Sequence, residues 1–93
     1  MQIGCPREIK PQEFRVGLTP DAAREAAAHG HSVVVEAGAG VGAGFPDTDY
    51  LLAGARIAAT AEEVFAADLI VKVKEPQPEE RARLREGQVL FTY

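Results

Sequence analysis

The chain has 93 residues, 46% of them hydrophobic and 26% charged, a composition that buries roughly 60–70% of the unfolded surface in one ordinary soluble domain and excludes a disordered tail. Ten basic against fourteen acidic residues give a net charge of −4 and a pI near 5.1, and no Lys/Arg run could neutralise a phosphate backbone, so no nucleic-acid partner is expected. Its longest apolar runs, such as residues 33–35 and 69–71, fall far short of the ~18 residues of a membrane span, and a lone Cys5 with a start that lacks a secretory signal predicts a cytoplasmic protein.

Gln2–Cys5 is a short apolar-leaning run stopped by Pro6, and predicts a first strand with Ile3 and Cys5 on one face. The polar stretch 7–18 is longer than the roughly 2–6 residues usual for a strand-to-helix connection, so it is expected to do more than connect. Thr19-Pro20-Asp21 carries the marks of a helix start: a hydroxyl cap, proline at the first helical position and an acid against the positive helix end. That helix should stop at His29-Gly30, and its small residues Ala22, Ala23, Ala26 and Ala27 let its axis lie close to a sheet.

Ser32–Glu36 holds three consecutive valines, the pattern of a strand covered on both faces and hence of a parallel sheet. Residues 38–44, glycine at every second position, read as a flexible turn; Pro46-Asp47 then opens a short helix through Leu52 that Gly54 closes. Residues 55–58 make a weak third strand, and Thr60-Ala61-Glu62-Glu63 fits a capping box for a helix running to about Ala67. Residues 69–73 carry the strongest strand signal. Pro78, Glu79 and Glu80 open a last helix whose later part takes Arg81, Arg83 and Arg85 before Gly87 stops it, and residues 89–93 form a fifth strand.

Strands alternating with helices predict an α/β fold, a parallel, doubly wound, Rossmann-like sheet of about five strands. The chain stops on the apolar Leu90-Phe91-Thr92-Tyr93 with no helix to cover it, and is therefore read as a piece of a longer protein.

In such a sheet ligands sit beyond the carboxyl ends of the strands where the winding reverses. With strand order 3-2-1-4-5 the reversal falls between the first and fourth strands, so the loop carrying Arg15 and the residues just past the fourth strand, Lys74 among them, share one crevice. A guanidinium that grips both oxygens and an ammonium that also polarises a carbonyl suit a small carboxylate substrate. Glu8 and Glu13 lie in the same loop and are placed to orient Arg15, whereas Lys72, inside the strand run, suits a structural role. His29 and His31 flank a helix end, where a histidine is favourable without function, and with one distant cysteine no metal site is expected. Gly38-Ala39-Gly40-Val41-Gly42-Ala43 matches the G-x-G-x-x-A variant of the dinucleotide fingerprint. It follows the second strand and its helix starts late, so no NAD site is expected there.

The stretches Ile3-Gly4-Cys5-Pro6-Arg7-Glu8, Glu13-Phe14-Arg15-Val16-Gly17-Leu18-Thr19-Pro20, Glu36-Ala37-Gly38-Ala39-Gly40, Lys72-Val73-Lys74-Glu75-Pro76 and Glu86-Gly87-Gln88-Val89-Leu90-Phe91-Thr92-Tyr93 together resemble the amino-terminal region of the bacterial alanine dehydrogenase family. The resemblance implies a two-domain oxidoreductase that interconverts L-alanine and pyruvate plus ammonia with NAD, usually as a homohexamer, of which residues 1–93 are the start of the catalytic domain. It implies that Arg15 holds the substrate carboxylate and that Lys74 contacts the carboxylate and carbonyl region as a catalytic residue. The family's catalytic histidine would follow Tyr93, and its catalytic aspartate and NAD-binding domain come later, so no cofactor is expected on these residues alone. The related α subunit of nicotinamide nucleotide transhydrogenase usually carries asparagine and alanine where this chain has Lys74 and Glu75, and remains the alternative, with a non-catalytic binding or assembly module of the same fold.

Overall fold

The computed structural model describes residues 1–92, so the expectation that the last strand includes Tyr93 lies outside the described residues. Strand β1 (Gln2–Cys5) is followed by the long loop, helix α1 (Pro20–Ala28), strand β2 (Ser32–Glu36), a 3-10 turn (Val41–Ala43), helix α2 (Asp47–Leu52) and strand β3 (Arg56–Ala58). Helix α3 (Ala61–Phe65), strand β4 (Leu69–Lys72), helix α4 (Pro78–Arg81) and strand β5 (Val89–Thr92) complete the order. The sheet runs β3-β2-β1-β4-β5 with every neighbouring pair parallel, so the winding reverses between β1 and β4.

The valine run does what its pattern requires. Val33 and Val35 point into one apolar cluster with Cys5, Ala23, Tyr50 and Ala53, while Val34 points into the opposite one with Val64, Phe65 and Ile70. Helices α1 and α2 thus cover one face and α3 the other, and the small side chains allow close approach. At Gly4 a Cβ would stand 2.5 Å from the Val64 carbonyl, so only glycine lets β1 lie this near α3.

Local capping chemistry sets the element ends. Thr19 accepts the Ala22 amide at 3.2 Å to start α1, and Gly54 takes a positive φ of 97° after α2. At α3 the Thr60 hydroxyl accepts the Glu63 amide, but the Glu63 carboxylate takes the Thr60 hydroxyl instead of its backbone amide, so the expected box is half formed. That helix ends at Phe65, short of Ala67.

Two expectations are corrected. Helix α4 stops at Arg81, so Arg83 and Arg85 lie beyond it. Arg85 instead donates to the Ala66 and Ala67 carbonyls and Gln88 to those of Phe65 and Ala67, so these side chains satisfy the end of α3 instead of extending α4. Strand β4 ends at Lys72 because the amides of Val73 and Lys74 turn to the Glu8 carboxylate, at 2.9 and 3.2 Å.

Candidate active site at the β1–β4 switch point

The loop 7–18 leaves β1 and crosses to β4 over the carboxyl ends of both strands, and three fastenings hold it there. Gly17 packs so tightly that a Cβ would meet the Val71 carbonyl at 2.6 Å and the Lys72 Cα at 2.8 Å. Glu8 drops into the interior, where its Oε1 lies 2.8 Å from the Lys72 Nζ; Glu80 of α4 approaches the same ammonium at 3.4 Å, and all three side chains are almost wholly buried. Lys10 bridges to Glu75 at 2.6 Å, just past Lys74. At Pro11-Gln12 the chain makes a turn closed by the Glu13 amide on the Lys10 carbonyl, with Gln12 at a positive φ of 64°.

The result brings Arg15 and Lys74 to one carboxylate, that of Glu13. Arg15 donates its Nε to Glu13 Oε2 at 3.0 Å and its Nη2 to Oε1 at 2.8 Å, a bidentate fork, while the Lys74 Nζ stands 4.0 Å from the same Oε1. The Arg15 bonds hold the Glu13 carboxyl down at about 2, with its own accepted Arg15 amide and the Lys74 charge adding to the effect. The same fork raises the already basic Arg15.

Arg15 is 66% exposed, and the fork to Glu13 uses only its side-on edge. Its Nη1 and the second Nη2 hydrogen remain for a ligand. The guanidinium stands between two clefts. One, of about 480 Å³, is lined by the charged Arg7, Lys10 and Glu13 together with Phe14 and the glycine turn; the other, of about 440 Å³, is lined by Val16, Ala22, Phe45 and Val73 among others. A carboxylate bound end-on by Arg15 would thus have an apolar wall within reach for a short side chain.

Of the residues singled out in the sequence, the side chains of Arg15, Glu13 and Lys74 come together, and Glu8 touches them only at the Lys74 backbone amide. Glu8 spends its oxygens on Lys72 and on the amides that end β4, and reaches Arg15 only through its field. It orients the backbone of Lys74, not the arginine. Lys72 is the buried structural cation its position suggested. The Lys10–Glu75 clamp and the close approach of Gly17 were not legible, since both depend on how the loop folds back over β4.

The glycine turn is hydrogen-bonded within itself: Ala43 and Phe45 both donate to the Gly40 carbonyl. Its groups do not fit a dinucleotide pyrophosphate. The Gly38 amide is taken by Asp47 Oδ1 at 2.9 Å, the face of Gly40 is closed by the Tyr50 ring, and Asp47 and Asp49 put two carboxylates in the first turn of α2. Among the described residues no helix is long and apolar enough to cross a membrane.

Residues 4–93 match the family model described as alanine dehydrogenase/PNT, N-terminal domain. Over its whole length the chain is 56% identical to an alanine dehydrogenase of Halomonas elongata and 50% identical to one of Bacillus subtilis. It spans about a quarter of the length of each, 25% in both. Among solved structures, an L-alanine dehydrogenase superposes with a TM-score of 0.98 at 49% identity, all of this chain covering 26% of that one. A transhydrogenase from Sinorhizobium meliloti follows with a TM-score of 0.93 at 37% identity, 99% of this chain covering 26% of that one. On sequence and fold together, the chain belongs to the family of alanine dehydrogenase/PNT N-terminal domains.

Proposed function

We propose that this chain is the amino-terminal part of the catalytic domain of a two-domain, NAD-dependent L-alanine dehydrogenase. The full-length enzyme converts L-alanine, NAD+ and water into pyruvate, ammonium, NADH and a proton, as a cytoplasmic homohexamer. The observation that supports this reading is the meeting of Arg15 and Lys74 at one carboxylate, from two loops at the reversal of the sheet.

In this reading Arg15 holds the substrate carboxylate by its end-on edge, and Lys74 lies beside the carbonyl, where a cation is best used as negative charge develops on oxygen. Glu13 fixes the arginine, and Glu8 fixes the backbone that carries Lys74. NAD is bound by chain outside these residues, since the glycine turn is closed to it. The likeness to the transhydrogenase supports a second reading, the α subunit of a nicotinamide nucleotide transhydrogenase, against which the Lys74-Glu75 pair speaks.

Steady-state kinetics of the full-length protein test the proposal. Arg15→Lys keeps the charge but loses the fork, and should raise KM for pyruvate about tenfold or more with KM for NADH unchanged. Lys74→Ala should lower kcat as well. Unchanged pyruvate kinetics in both variants would remove these residues from the site, and NADH oxidation that needs NADP+ as the hydride acceptor instead of pyruvate and ammonium would favour the transhydrogenase.

A further inference from the structure

The described crevice already contains a carboxylate of its own. The Glu13 side chain is only 6% exposed, yet both cations turn to it: Arg15 with two parallel hydrogen bonds, Lys74 with its ammonium 4.0 Å from Oε1. Arg7 is a third cation, exposed in the lining of the larger cleft and outside the hydrogen bonds to Glu13. Lys10 is paired with Glu75, and Lys72 lies buried between Glu8 and Glu80, a trio with one negative charge in excess. At Glu13 two cations thus meet one fixed anion, which leaves that pair a single positive charge to offer, and the buried trio behind it lends no positive excess.

From this arrangement we propose that Glu13 sets the charge class of the substrate: it neutralises one of the two cations, so that the crevice accepts a monocarboxylate and discriminates against a dicarboxylate. This deepens the proposed function and rests on Arg15 and Lys74 forming the carboxylate site. Space alone does not impose the choice, because the clefts beside Arg15, of about 480 and 440 Å³, have room for a second carboxylate. With Glu13 in place, a second carboxylate would lose its hydration in front of a carboxylate already gripped by the arginine, and discrimination built on an unpaired charge is an effective way to reject the wrong ligand. With the charge of Glu13 removed, Arg15 and Lys74 could each receive one carboxylate of a dianion.

The test uses the full-length enzyme and two inert acids of equal carbon count, propionate and malonate, as competitive inhibitors against pyruvate at a pH above 7, where malonate is a dianion. Glu13→Gln should raise the preference for malonate over propionate at least tenfold. Glu13→Asp keeps the charge and should retain the native preference, which separates charge from loop geometry, and a thermal melt of each variant checks folding. Parallel shifts of both inhibitors, an unchanged preference, or an Asp variant that behaves like the Gln variant would each overturn the proposal. Arg15→Ala serves as the control on the underlying reading. If it leaves propionate binding untouched, the carboxylate site itself is misplaced and both readings fall; if it abolishes propionate binding while Glu13→Gln leaves the preference unmoved, only the role of Glu13 falls.

Discussion

Cys5 is wholly buried at the end of β1, and burial, with the nearby Glu8 charge, pushes its thiol from an ordinary 9.0 up to about 12 against the Leu18 and Gly17 backbone and the Lys72 charge, which pull the other way. Between those two values the folded chain keeps a proton that the unfolded chain has lost. Its contribution to stability is therefore complete below pH 9 and is lost as the pH rises toward 12. The thiol should not react with Ellman's reagent in the native protein, and Cys5→Ala should flatten the fall of melting temperature above pH 9; rapid native labelling would contradict the burial. Glu13 and Glu75 have the opposite sign. Hydrogen bonds from Arg15 and Lys10, respectively, hold both carboxyls at about 2 against an ordinary 4.5, so their ion pairs are intact above pH 4.5 and are lost as the pH falls toward 2. An acid titration followed by NMR of the two side chains should show both still ionised at pH 3.5.

At the scale of elements, the loop 7–18 is shaped by what it is fastened to. Gly17→Ala would drive a Cβ into the Val71 carbonyl, a backbone atom that cannot swing aside, and should destabilise the full-length protein by about 1–3 kcal/mol while disturbing Arg15 two residues away. Lys72→Met would leave Glu8 and Glu80 buried without their cation, a loss of about 3–5 kcal/mol, and adding Glu8→Gln and Glu80→Gln should recover part of it. Urea denaturation of the single and triple variants checks the point: equal losses would deny that the three charges act as one group. Such fastenings explain which parts of the site could be read from sequence. The juxtaposition of Arg15 and Lys74 was legible because strand order and loop position alone bring them to one end of the sheet, where both meet Glu13. Glu8 was assigned the wrong neighbour because it sits in the same loop as Arg15, whereas its side chain turns inward to a lysine 64 positions away, a contact with no local signature. Arg83 and Arg85 failed for a related reason: their charge order suited the end of α4, but Arg85 is drawn to the open carbonyls of α3, which only the tertiary packing sets beside it.

The whole molecule was the easiest scale to read, because alternating strands and helices with a doubly buried valine run admit few arrangements, and the parallel order β3-β2-β1-β4-β5 is the one that also places the loop after β1 beside β4. That order has a cost at one edge. Among the described residues strand β5 borders the sheet with β4 as its one sheet partner, and Val89, Leu90 and Phe91 are 53%, 37% and 53% exposed, an apolar strip along that edge. An exposed apolar edge strand invites pairing with another chain, and here the strip is continuous over three residues. The isolated 93 residues should therefore self-associate as concentration rises, and replacing Val89 and Phe91 by lysine should suppress this through charge repulsion along the edge. Light scattering across a concentration series distinguishes the outcomes: association that vanishes with the two lysines locates the contact at β5, whereas association unaffected by them assigns it to the exposed Leu51 and Leu52 of α2 or to Phe14, and a clean monomer at high concentration denies that the edge is adhesive.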